Sequence, residues 1–464
     1  MKGVGVILLG AGQGTRMKSR LPKVLHPLGG KPLFLYALET AKRLNPTQVA
    51  MVVGHGAEAV KQAYPHDDVT WVIQEQQLGT GHAVLCAKNC FRDFSGDILI
   101  LSGDVPLTQE RMLAAMIKTH RENEAAMTLM TACLDVPKGY GRIIRDARGQ
   151  IKGIVEERDG SEAQRRIQEV NIGVYVASPR FLFSALEAVE NHNQQGEYYL
   201  PDIVAISLGQ GKKIVTVEVK DPREMVGINT REELARMEKT LQERINRKWM
   251  DAGVTLKDPC TTYIEEGVIV GKDTVIGPNS HLRGRTVIGE RCRIDGTAYL
   301  TDAEIGEEVQ LKFSVVLTSC RVERGAIIGP FAHLRPGTSL GPNVHIGNFV
   351  ETKEATIGAG TKANHLTYLG DVTIGRDTNI GAGTITCNYD GFKKYRTAIG
   401  DRVQVGSDST LVAPLALGDD VYVATATTIR RDVPAGALVF NERQEHVREG
   451  WTEKKRNQMK GSKN

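Results

Sequence analysis

The chain has 464 residues, of which 41% are hydrophobic, 5% aromatic and 25% charged, and that length exceeds one ordinary core, so two or three domains are expected. Lys and Arg number 59 against 55 Asp and Glu, and the formal charge of +4 excludes the strongly basic face of a nucleic-acid binder. No apolar run reaches the ~18 residues of a membrane span, and Met1 leads into a strand-like run rather than a basic–apolar–small leader, so a soluble, cytoplasmic protein without membrane insertion is expected.

The first element is the strand "VGVILLG" at 4–10, which runs into "AGQGTRMKSRLPKVL". Gly10, Gly12 and Gly14 let backbone N–H groups approach a phosphate closely, as anion-binding nests do. The dinucleotide pattern G-x-G-x-x-G fails in both registers, with Thr15 or Met17 in its last position. Arg16 and Lys23 supply cations instead, which suits a triphosphate or a departing pyrophosphate. Further apolar, β-branched runs follow as "QVAMVVGH", "VTWVIQE", "GDILILSGD", "MTLMTACL" and "KIVTVEVK". Helical patterns such as "PLFLYALETAKRL" and "TQERMLAAMIKTH" lie between them. This alternation predicts an α/β domain over 1–229, a mostly parallel sheet covered on both faces with its site at the C-terminal strand ends. Asp104 stands at such an end, placed for a metal or a ribose, or else for a solvated turn. Gln74 and Gln77 carry amides that match the edge of uracil, or a polar surface loop, ahead of a helix start at Gly79 and Thr80.

"NTREELARMEKTLQERINRKWMDAG" predicts one long helix over 230–252. Thr230 and Glu233 make a capping box, Leu234, Met237, Leu241 and Ile245 an apolar stripe, and Gly253 the stop.

From 253 to 464 the period becomes six. Val270, Ile276, Leu282, Ile288, Ile294 and Leu300 are evenly spaced; so are Val316, Val322, Ile328, Leu334, Leu340 and Ile346, and Ile399, Val405, Leu411, Leu417, Val423 and Ile429. Six fits a solenoid with a triangular coil and flat sides, which favours side-by-side assembly into a homotrimer. His365 lies within these repeats, and "TITCNYDGFKKYRTAIG" interrupts them between Thr386 and Ile399. An isolated His is more often structural, but Tyr368, Asn379, Asn388, Tyr389 and Lys394 gather polar groups at the same level. The basic end "EKKRNQMKGSKN" is expected to be a solvated, disordered tail. Seven scattered cysteines, with Cys86 and Cys90 lacking the second pair of a zinc site, predict free and mostly buried thiols.

"LLGAGQGTRM", "LPKVL", "QLGTGHA", "GDVPL", "GYGRI", "IVEE" and "GEYY" resemble the sugar-1-phosphate nucleotidylyltransferases. With the hexapeptide half, residues 4 to 452 resemble the bacterial bifunctional N-acetylglucosamine-1-phosphate uridyltransferases/glucosamine-1-phosphate acetyltransferases. The resemblance implies a Rossmann-like nucleotidyltransferase domain, a connecting helix, and a left-handed parallel β-helix. It implies uridylyl transfer from UTP, with the nucleotide on Leu9, Gly10, Ala11, Gly12, Lys23, Gln74, Gly79, Thr80 and Gly103. By the same match the sugar lies on Gly141, Glu156 and Asn171, and magnesium on Asp104 and Asn229.

For the second half the resemblance implies acetyl transfer from acetyl-CoA to glucosamine-1-phosphate, with His365 as general base oriented by Glu351. Arg335, Lys353, Tyr368, Asn379 and Lys394 would hold the sugar phosphate, and Asn388 and Tyr389 would flank the thioester. Ala382, Ser407 and Thr425 would line the coenzyme path. Glu442 stands where the family has an arginine, which Arg443, Arg430 or Arg431 would replace; Asn364 replaces a glycine and Ser102 a tyrosine. A nucleophilic Cys387 is set aside, because direct transfer needs no covalent intermediate. Two rivals are a monofunctional nucleotidylyltransferase and a silent subunit of the exchange-factor type. The His365 and "CNYD" constellation opposes the first, and Arg16, Lys23 and Asp104 together oppose the second.

Overall fold

A computed structural model describes residues 3–222, 225–442 and 444–461. The chain divides into two compact units, Met1–Arg244 and Ile245–Asn464, and the division falls inside the helix Arg231–Asp251.

In the first unit every expected strand and both expected helices form, the helices as Leu33–Arg43 and Glu110–Glu122. The sheet runs from Ile214–Glu218 at one edge through Met127–Cys133, Glu169–Ala177, Asp97–Ser102, Val4–Gly10 and Gln48–Val53 to Thr70–Ile73. Successive side chains of Val4–Gly10 face opposite cores, as the period of two requires. Val6 and Leu8 pack with Phe34, Leu38, Leu113 and Met116, whereas Ile7 packs with Val84, Leu182 and Ile203.

The main path of the sheet is mostly parallel, as expected, with one reversed strand. Glu169–Ala177 pairs antiparallel with both neighbours, and the hairpin Arg142–Arg145/Ile151–Val155 hangs from it. Asn171 and Gly173 interrupt that strand's apolar run and sit at a register shift, which hides it from a periodicity reading. Val4–Gly10 and Asp97–Ser102 lie on either side of the point where strand order reverses, and Gly103 N donates to Leu9 O at 2.8 Å. Such a switch point is where parallel sheets hold ligands.

The helix Arg231–Asp251 starts on the expected capping box, with Glu233 N donating to Thr230 Oγ1 at 3.1 Å and Thr230 N to Glu233 Oε2 at 2.9 Å. Met237, Leu241 and Ile245 are buried and Leu234 half-buried. Within the second unit, Asn246 Nδ2 donates to Pro259 O and Thr262 O at 2.8 and 2.9 Å.

The second unit is a left-handed parallel β-helix with 26 strands among the described residues, most of them short and paired three places along the chain, while the 13-residue strands His345–Ile357 and Lys362–Ile374 pair directly with each other. Ile276, Ile294, Leu311, Ile328, Ile346 and Ala363 stack in register, so one coil takes 17 or 18 residues. From Ile380 to its partner Val405 the chain takes 25, which accommodates the insertion. All the period-six residues are buried except Val316, which is 39% exposed while Leu317 is fully buried. The coil from Leu317 to Leu334 takes 17 residues rather than 18, so counting back by sixes from Leu334 lands on Val316 instead of the inward Leu317.

Two further expectations are corrected. The basic end is solvated as expected over residues 451–460 but forms the helix Trp451–Gly461 rather than a disordered tail, because its Glu, Lys, Arg, Gln and Met residues all favour helix, and residues 462–464 lie outside the described residues. The seven cysteines are free, but only Cys292 and Cys320 are buried, and Cys133 and Cys260 are exposed.

Candidate active sites

In the first unit the glycine-rich loop bounds a cavity of about 510 Å³. Leu9, Gly10, Ala11, Gly12, Arg16, Lys23, Gln74, Gly79, Thr80, Ser102, Asp104 and Asn229 line it. Gly103 is absent from that wall, and its N–H donates to Leu9 O. Two glycines are required by their backbones. Gly14 has φ +61° with Lys23 packed against it, and a Cβ on Gly79 (φ +106°) would lie 2.6 Å from Tyr198 O. Gly79 begins the helix Thr80–Cys86, whose Thr80 Oγ1 accepts from Leu200 N at 3.1 Å. Gln74 is buried, and its Nε2 is committed to Gly79 O at 3.1 Å and His82 Nδ1 at 3.0 Å.

Charge gathers where the strand ends meet. Lys23 Nζ forms an ion pair with Asp104 and donates to Asn229 Oδ1 at 3.1 Å, while Arg16 Nη2 donates to the same oxygen at 2.9 Å. Asn229 immediately precedes the capping box and is held by it, since Asn229 N donates to Glu233 Oε2 at 2.7 Å. Ile228 N donates to Asp104 O at 3.0 Å and fixes the two segments side by side. The carboxylate and the amide oxygen are hard donors of the kind magnesium takes, and both converge on one ammonium. Glu197, which "GEYY" contains without marking, also lines the cavity.

Gly141, Glu156 and Asn171 form a separate cluster outside that wall. Asn171 N donates to Gly141 O at 2.8 Å, and a Cβ on Gly141 would lie 2.9 Å from Glu156 Oε1, so a larger residue there would push the carboxylate aside. Both ends of the Asn171 amide are used internally, Nδ2 on Tyr175 Oη at 2.6 Å and Oδ1 by Gly173 N at 3.1 Å. Burial, then the Asp202 and Asp159 carboxylates, push the Glu156 carboxyl up to about 7.

In the second unit Glu351 and Tyr368 are register partners on adjacent coils, as are Asn348 and His365. The His365 ring is exposed and makes no hydrogen bond among the described residues. Glu351 Oε1 instead accepts from Arg335 Nη1 at 2.7 Å. Lys353 lies against Lys394, whose ammonium, together with the Arg335 guanidinium, holds it below the usual lysine range. Two like charges kept together mark a place for an anion. Asn388 is buried at the base of the insertion, where Tyr395 N donates to its O at 2.9 Å and Tyr389 bridges Lys394. Asp371, which reads in the sequence as an ordinary turn residue, accepts from Asn388 Nδ2. The registers put Ala382, Ser407 and Thr425 at equivalent corners of three successive coils, and Asn379 beside Lys362. Arg443 lies outside the described residues, while Arg430 and Arg431 follow the strand Thr428–Ile429.

Known families match both halves. A MobA-like NTP transferase domain matches residues 6–199. The bacterial transferase hexapeptide matches 267–302 and 319–353, and the hexapeptide repeat of succinyl-transferase matches 396–430. A solved UDP-glucose pyrophosphorylase complexed with UDP-glucose is 17% identical with TM-score 0.43, over 53% of this chain and 100% of that one. The bifunctional protein GlmU of Pelobacter propionicus is 46% identical over 97% of this chain and 98% of its own length. That of Geotalea uraniireducens is 47% identical over 98% and 100%. That of Geobacter sulfurreducens is 44% identical over 99% and 100%. With matches running the length of both chains and across both architectures, the chain belongs to the family of the bifunctional protein GlmU.

Proposed function

We propose that this enzyme acetylates glucosamine-1-phosphate from acetyl-CoA and then couples the N-acetylglucosamine-1-phosphate to UTP, giving UDP-N-acetylglucosamine and pyrophosphate. The observation that carries the reading is the convergence of Arg16, Lys23, Asp104 and Asn229 at the mouth of a glycine-lined cavity, in a chain whose β-helix also holds an exposed His365 and the clustered cations Lys353, Lys394 and Arg335.

In the nucleotidyl step a phosphate oxygen of the sugar attacks the α-phosphorus of UTP, and the bond to the β-phosphate oxygen breaks. The nucleophile is already an anion, so positioning and charge neutralisation suffice without a side-chain base. Loop N–H groups hold phosphate oxygens, and Arg16 and Lys23 take the charge of the departing pyrophosphate. Asp104 and Asn229 would hold magnesium, which when bound neutralises phosphate charge. Among the described residues no group of three His, Cys, Asp or Glu side chains offers a metal site, so substrate oxygens would complete the coordination. Gly141, Glu156 and Asn171 would receive the sugar.

In the acetyl step the sugar amine attacks the thioester carbon, His365 takes the amine's proton, and the C–S bond breaks to release coenzyme A. Arg335, Lys353 and Lys394 would bind the sugar phosphate with Tyr368 and Asn379, and Glu351 spaces Arg335. Asn388 and Tyr389 would flank the thioester, and the corner positions Ala382, Ser407 and Thr425 would pass the coenzyme, with Arg443 or Arg430 on its phosphates. Assembly as a homotrimer through the β-helix would bring a second chain to the exposed His365. Among the described residues no helix is long and apolar enough to cross a membrane, and the product is a cytoplasmic precursor for peptidoglycan and lipopolysaccharide.

The test supplies glucosamine-1-phosphate, acetyl-CoA, UTP and magnesium, and follows thiol and pyrophosphate separately. We expect both, with pyrophosphate dependent on acetyl-CoA and on magnesium. Pyrophosphate only when N-acetylglucosamine-1-phosphate is supplied, with no thiol at any stage, would reduce the chain to a uridylyltransferase.

A further inference from the structure

Asp371 has no place among the residues assigned above, yet it is built into the second site. It follows Gly370 at a coil corner with φ +47°, a left-handed conformation that aspartate tolerates better than most residues. The corner is pinned by buried Thr386, whose Oγ1 accepts from Gly370 N at 2.8 Å and donates to Gly370 O at 3.0 Å. Thr386 lies two residues before Asn388, so this pin also fixes the base of the insertion against the corner. Across the gap Asn388 Nδ2 donates to Asp371 Oδ2 and stands 3.5 Å from the Tyr368 hydroxyl. Asn388 Oδ1 makes no hydrogen bond among the described residues.

The chemistry of the pair has one solution. An ionised carboxylate only accepts, so the amide must turn its NH₂ toward Asp371 and its oxygen away. Asp371 also attracts the Lys353 ammonium, which ties it to the cations of the same site. From this geometry we infer that Asp371 is a positioning residue for acetyl transfer: it locks the Asn388 amide with Oδ1 facing outward, as an acceptor for an N–H of the attacking amine. As the amine nitrogen bonds to the thioester carbon it gains positive charge, and an oxygen already aimed at its N–H stabilises that charge until His365 removes the proton. A hydroxyl nucleophile has one hydrogen, which the base needs, whereas an amine has a second to give to Asn388. The lock therefore selects amino sugars over their hydroxyl counterparts.

This inference rests on the acetyl-transfer reading, and wild-type thiol release in the same assay tests that reading separately. Asp371→Asn keeps the volume but lets the facing amides pair either way round, which releases the lock. We expect kcat for acetyl transfer to fall about 10- to 100-fold, as for loss of a hydrogen bond to a charge-bearing centre. The KM for glucosamine-1-phosphate should not rise, because the substitution removes negative charge beside the cations, and uridylyl transfer should be unchanged. In an Asn388→Ala background Asp371→Asn should have no further effect. An unchanged kcat in Asp371→Asn, or a loss that persists without Asn388, overturns the proposal. Loss of uridylyl transfer together with acetyl transfer would indicate misfolding, and Asp371→Ser then serves as the second variant under the same two criteria.

Discussion

At neutral pH the Glu156 carboxyl is divided between its neutral and charged forms, because burial and then Asp202 and Asp159 hold it at about 7 against an ordinary 4.5. Between those values the native chain binds a proton that the unfolded chain has released, so stability falls as pH rises through that window. Glu156→Gln removes the ionisation. Compared with wild type, it should gain at most about 3 kcal/mol more at pH 8 than at pH 4, read by urea unfolding at both values. Equal differences at the two pH values would show that burial does not act on this group. Single residues were unevenly legible. Arg16, Lys23 and Asp104 announce themselves as charges beside a glycine loop, whereas Glu156 and Asn229 carry no local signal. Asn229 reads as the residue before a cap, and only the convergence of its oxygen on Lys23 and Arg16 marks it. Asp371 reads as a turn residue because its partner lies on another coil.

Elements were legible wherever their own period exposed them. The long helix starts and stops where its capping box and Gly253 require, since those signals act within one turn. The aliphatic spacing of six marks the coils, but it misplaces Val316 because the coil from Leu317 to Leu334 takes 17 residues and shifts the phase by one. That shift predicts a contrast. Leu300→Ala removes a fully buried side chain and should cost about 2–5 kcal/mol. Val316→Ala, on the solvent side, should stay within about 0.5 kcal/mol. Denaturant unfolding of both variants checks the phase, and a large loss at Val316 would restore the unshifted register. The strand Glu169–Ala177 stayed hidden because Asn171 and Gly173 break its pattern at the place where its register shifts.

For the molecule as a whole, two compact units carry two separate reactions, so damage to one site should leave the other working. His365→Ala should cut acetyl transfer by about 10²–10⁴-fold, the usual contribution of a positioned general base. Pyrophosphate release from UTP should remain at wild-type rate once N-acetylglucosamine-1-phosphate is supplied directly. Equal loss of both activities would mean a folding defect, and undiminished acetyl transfer would remove His365 from the mechanism. The sequence by itself determined the two architectures, the helix that joins them and the glycine loop, because alternation, capping and period are properties of neighbouring residues. Only the tertiary structure decided which groups meet. Lys23 reaches Asp104 and Asn229 across separations of 81 and 206 residues, and Asp371 reaches Asn388 across 17. Such meetings depend on strand order and coil register, and a slip of one residue turns each side chain to the opposite face.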